Sequence, residues 1–140
     1  YNGDKNASLI AAKIFGTTFE NVNTVITGGN GDFKATGTGT PKCHAPIDKV
    51  GACGYLANTT FQANTLKNCT FDASGWKLGS LFGWNQSMTE PTVTNCVVKA
   101  ASLVQAMHSN YNGYTYQPKG VEITDPKTEK NISGLTFVKA

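Results

Sequence analysis

Between residues 7 and 25 the small and apolar side chains recur every three or four positions: Ala7, Ile10, Ala11, Ile14, Thr18, Val22 and Val25. That is the period of one face of an α-helix. It constrains the fold more than any other feature, because a chain that begins with a helix must later supply a surface to receive it. Asp4 or Asn6 can cap the start by accepting from N–H groups that lack an intrahelical partner. Gly16, Thr17 and Thr18 weaken the middle, since Gly costs about 1 kcal/mol against Ala in a helix interior. Such a helix leans on a packed partner rather than on its own propensity. Gly28 and Gly29 end it, because Gly takes the left-handed C-cap conformation without penalty. The expectation is a helix over residues 1–27.

Residues 28–54 hold seven Gly and two Pro, too many for a continuous helix, and read as a Gly-rich connecting loop. A loop of this length inside a compact domain needs a restraint. Residues 55–140 read as sheet. Short β-branched and aromatic runs lie at 59–62, 66–71, 92–98, 121–124 and 132–138, with Asp125-Pro126 marking a turn. A short helix is expected near 98–108, where Leu103, Ala106 and Met107 fall at helical spacing. Trp76 and Trp84 belong either to an aromatic core under a loop or to an exposed ligand-stacking patch. The 140 residues suit one domain.

Charge narrows the partners. The net charge of +3 comes from twelve Lys scattered singly, with no Arg. Arg makes the planar bidentate contacts to phosphate and guanine, so no nucleic acid is expected as a partner. No stretch approaches the roughly 18 consecutive apolar residues of a membrane span. Cys43, Cys53, Cys69 and Cys96 make an even count in a small Gly-, Thr- and Asn-rich chain, which points to an exported, oxidised protein. Proximity in sequence suggests Cys43–Cys53 and Cys69–Cys96, although four Cys allow three pairings. Their spacing lacks the close pairs of a zinc site, and no metal or cofactor is expected. The sequons at Asn6, Asn58, Asn68, Asn85 and Asn131 are read as mostly compositional.

No constellation points to catalysis. Cys43 and His44 are adjacent, which seldom aims both side chains at one reacting atom. His108 stands apart from them. The nine acids form no glycosidase-like pair, and the Gly-rich stretch 28–33 is not followed by Lys-Ser/Thr as a phosphate loop would be. The chain is read as no enzyme.

The segments TLKNCTF, TVTNCVV and NISGLTF share a shape, separated by twenty-seven and then thirty-nine residues. Stacked coils of an all-β parallel β-helix show such a pattern, but a solenoid calls for a steadier period. The competing reading is three strands of an ordinary sheet.

Tyr1, Ala7, Ile10, Ala11 and Ile14 carry a family resemblance: an aromatic, then polar residues, then a mildly apolar helix. This opening resembles type IV pilins that lack their N-terminal half. The resemblance implies an α+β fold, with the N-terminal helix packed on an antiparallel sheet, and an apolar membrane-anchoring segment upstream of Tyr1. It implies a structural subunit of an extracellular type IV pilus-like fibre, partnered by copies of itself and by other pilins or a host surface, with roles in adhesion or motility. Ile10, Ile14, Val22 and Val25 would then face the sheet. Ala11, Lys13, Gly16 and Glu20 would form the assembly interface. Two alternatives stand beside it: a secreted carbohydrate-binding or carbohydrate-cleaving β-helix module using Trp76 and Trp84, and a small disulfide-bonded adhesin.

Overall fold

The computed structural model describes residues 8–26, 31–33, 54–86, 89–109 and 112–140. Among these there is no helix. The strands are β1 (Ala11–Phe15), β2 (Thr18–Glu20), β3 (Asn23–Val25), β4 (Gly31–Phe33), β5 (Gly54–Phe61), β6 (Thr65–Lys67), β7 (Thr70–Asn85), β8 (Thr92–Thr94), β9 (Cys96–Gln105), β10 (Met107–Ser109), β11 (Thr115–Lys119) and β12 (Glu129–Lys139). The absent helix overturns the pilin resemblance and the α+β class together. The helix expected near 98–108 is likewise strand, in β9 and β10. Within the Gly-rich stretch residues 31–33 form a strand, while 34–53, with Cys43, His44 and Cys53, lie outside the described residues.

The sheet is not antiparallel either. Among the described residues every pairing between strands is parallel except β10 with β11. The chain passes the same level repeatedly and stacks in register. Thr18, Thr65 and Thr92 form one column across β2, β6 and β8. Thr24, Phe71, Val98 and Phe137 form another across β3, β7, β9 and β12. A third sheet region stacks β1 on β5, β5 on the end of β7, and β7 on β10. Coarsely this agrees with the all-β alternative. It departs from a regular solenoid in its uneven step, in the antiparallel β10–β11 pair, and in a ring of pairings running β7–β10–β11–β12–β9 and back to β7.

Corners explain how such short strands can turn inward. Asn21, Asn68 and Asn95 have φ of 58°, 53° and 51°, and Gly134 has 82°. Each sits one residue before a buried or half-buried side chain of the next strand region: Val22, Cys69, Cys96 and Leu135. Asn tolerates the left-handed region because its short polar side chain finds a local partner. Here the partner is the next Asn. Asn95 Nδ2 donates to Asn68 Oδ1 at 3.0 Å, and Asn68 Nδ2 donates to Asn21 Oδ1 at 3.3 Å. At the fourth corner a Cβ would sit 1.9 Å from the Val93 carbonyl oxygen, so only Gly fits.

The helical stripe dissolves into these corners. Ile14 is buried, as a helix would also have it, but Ile10 and Val25 are 42% and 62% exposed. Phe19, outside the stripe, packs against the core instead. It stacks on Leu66, which stacks on Val93. A fully buried Leu is worth about 1.5–3 kcal/mol, so Leu66 helps tie these turns together. Tyr55 and Phe71 meet edge to face at 6.1 Å, and the Tyr55 hydroxyl lies 3.1 Å from Thr24 Oγ1.

Two substitutions test the corners. Gly134→Ala meets both a positive φ and a backbone clash and should cost roughly 2–4 kcal/mol in urea unfolding. Asn68→Ala loses its place in the amide ladder and should cost roughly 1–3 kcal/mol, of which Asn68→Gly recovers the backbone share. Equal stability of Asn68→Ala and wild type would contradict the ladder.

Candidate aromatic binding face

Residues paired directly across strands send their side chains to the same side of a sheet. Lys13 pairs with Thr59, Thr59 with Trp84, Trp84 with His108, and His108 with Thr115. Two positions along, Phe15 pairs with Phe61. The topology therefore gathers Lys13, Phe15, Phe61, Trp84 and His108 on one face of β1, β5, β7 and β10. The opposite side of the same strands carries Ile14, Thr60, Asn85 and Ser109, all buried. There Thr60 Oγ1 donates to Asn85 Oδ1 at 3.0 Å.

The face is aromatic with polar punctuation. The rings of Phe15 and Phe61 stack at 4.8 Å, 10° from parallel. Phe15 remains 57% exposed. The Lys13 ammonium stands 6.0 Å from the Phe61 centroid, within cation–π range. Trp84 and His108 are half-buried, their rings 6.3 Å apart and tilted by 59°. Burial pushes the His108 imidazole below its ordinary value of 6.5, so it is neutral at pH 7. Its Nδ1 is buried and has no hydrogen-bond partner among the described residues.

Trp76 does not join this face. It lies at the level of Gly31 in β4, roughly 26 Å back along the same strand from Trp84 at ordinary strand rise. The residues expected to form an assembly interface have duties within the chain. Glu20 pairs with Lys67 at 2.9 Å. Gly16 takes φ 51° at the corner after β1. Ala11 packs against the core, and Lys13 lies over Phe61.

Cys69 and Cys96 sit at neighbouring levels as buried free thiols, so the suggested Cys69–Cys96 bridge is not formed. Cys69 N–H donates to Cys96 Sγ at 3.4 Å, while Cys69 Sγ lies 3.3 Å from the Lys67 carbonyl and Cys96 Sγ 3.3 Å from the Thr94 carbonyl. Each thiol turns back to its own corner. Burial raises the Cys96 thiol above its usual pKa, which favours the uncharged form. No group of three His, Cys, Asp or Glu among the described residues could hold a metal ion.

Across the ring of strands, the Tyr116 hydroxyl donates to Glu90 and accepts from Asn112 Nδ2 at 2.7 Å. Tyr114 meets Tyr116 edge to face at 6.4 Å, and the Lys130 ammonium lies 4.0 Å from the Tyr114 centroid. This cluster fastens the segment before β8 onto β11.

No protein-family model, curated protein or solved structure matches the chain. The functional reading therefore rests on the face and its chemistry alone. Sequence reasoning had named Lys13, Trp84 and His108, each for a separate purpose. It had missed Phe15 and Phe61, whose signal is their identical place before two corners, Gly16 and Gln62, both with positive φ.

The Tyr116 phenol supplies a test. Its pKa is pushed up to about 12, first by burial and then by its hydrogen bond to Glu90. Below pH 10 folded and unfolded chains both keep that proton. From pH 10 to about 12 the unfolded chain releases it first, so stability falls as pH rises. Tyr116→Phe should remove part of that fall in pH-dependent urea unfolding. An unchanged slope in that window would contradict the buried, carboxylate-bonded phenol.

Proposed function

We propose that this chain is a carbohydrate-binding module whose recognition surface is the exposed end of this row, Lys13, Phe15 and Phe61, with the half-buried Trp84 and His108 behind it. One observation carries the reading: two aromatic rings stacked at 4.8 Å, the outer one, Phe15, 57% exposed, with an exposed ammonium on the same side of the sheet. The C–H faces of a pyranose pack on such rings, while its hydroxyls need donors and acceptors at the periphery. Lys13 donates from its exposed position at the edge of the sheet. Because the face lies on paired strands rather than on a loop, its side chains are held at fixed spacing before the ligand arrives, which limits the ordering cost of binding.

Binding suits this face better than cleavage. Glycoside hydrolysis ordinarily uses two carboxyl groups flanking the scissile bond. Along the row from Lys13 through Thr59, Trp84 and His108 to Thr115 there is no carboxylate. The next paired residue, Glu129, accepts hydrogen bonds from the Thr124 and Asp125 N–H groups.

Affinity electrophoresis in gels containing soluble polysaccharides tests the proposal. Retardation by at least one glycan is expected, and Phe15→Ala should weaken it roughly two- to ten-fold, the scale of one aromatic contact. Val138→Ala, at an exposed position at the end of β12, should leave it unchanged. If no polysaccharide retards the wild-type chain, or Phe15→Ala binds as well, the proposal fails.

A further inference from the structure

Resting on the glycan-binding reading, we propose that the ligand is anionic: a chain of uronate residues whose carboxylate is met by Lys13. The charges near the first turns of the stack are unevenly settled. Glu20 is held by Lys67 at 2.9 Å, and Asp72 has Lys99 at 4.0 Å. Lys13 has a ring and no carboxylate among the described residues. Among the described residues the face thus presents an exposed ammonium with no carboxylate partner, on the same side of the sheet as the exposed Phe15, with no acid along the row as far as Thr115.

The geometry favours a carboxylate attached to a sugar ring over a free anion. A pyranose lying flat on an aromatic ring projects its C5 substituent sideways, near the ring plane. An acid at that position leaves the aromatic contact on Phe15 intact and can be met by the Lys13 ammonium, which stands 6.0 Å from the neighbouring Phe61 centroid. A neutral hydroxymethyl group there would gain only an ordinary hydrogen bond. Since Lys13 is exposed, the added attraction is that of a solvent-accessible ion pair, about two- to five-fold in affinity, and it weakens with salt.

Soluble β-1,4-glucan oligosaccharides and their C6-oxidised polyglucuronate counterparts share one backbone and differ at the proposed contact. Isothermal titration of the whole chain should show two- to five-fold tighter binding of the oxidised form at low ionic strength. The preference should vanish in Lys13→Gln and return in Lys13→Arg. Equal binding of the two forms by wild type would overturn the anionic assignment and leave the glycan-binding reading standing. Binding of neither form would overturn the uronate assignment on this backbone, while the glycan-binding reading falls only if no polysaccharide retards the chain. A preference that survives in Lys13→Gln would remove Lys13 as its source.

Discussion

What everything else in this fold hangs on is a corner that one residue must take in the left-handed region. Asn21, Asn68 and Asn95 each turn the chain out of one short strand and into the next, and each side chain is anchored by the one beside it. The corners fix which residues point inward, and the inward residues then stack in columns: Phe19 on Leu66 on Val93, and Thr24 on Phe71 on Val98. Register follows from this. In a strand a slip of one residue would turn the buried side outward, and here it would also put an ordinary L-residue at a positive φ. Backbone geometry and burial demand the same alignment.

The same logic positions the aromatic face. Phe15 and Phe61 are the last residues of their strands before corners at Gly16 and Gln62. Occupying equivalent places on successive passes, they must lie side by side, and their rings stack. Lys13, two residues earlier, shares their side of the sheet. The face is therefore a by-product of parallel stacking: once a position recurs at each level, whatever chemistry it carries is displayed as a row.

Part of this was legible in the sequence. TLKNCTF, TVTNCVV and NISGLTF are true neighbours, and their offsets of twenty-seven and thirty-nine residues match the steps between β6 and β8 and between β9 and β12. Unequal spacing counted against a solenoid because the period was taken as the signal. The stack instead tolerates unequal excursions between levels, since only the strands and corners are paired. The first turn was misread because the small and apolar residues fall at helical spacing without sharing a side: Ile14 points inward, while Ile10, Thr18 and Val25 face out once the chain turns at Gly16 and Asn21. Nothing in composition distinguishes those cases. The distinguishing mark is Asn before a small apolar residue, in NV, NC and NC, at a place where a helix has no use for it. The site was harder to read, because Phe15, Phe61 and Trp84 become neighbours only through pairings across forty-six and twenty-five positions.

Backbone nuclear Overhauser effects test the stacking most directly. The account expects interstrand contacts linking Asn23 with Thr70, Thr70 with Val97, and Val97 with Thr136, the levels at which β3, β7, β9 and β12 pair. A run of contacts between residues three and four apart over 8–26, with those interstrand contacts missing, would contradict it.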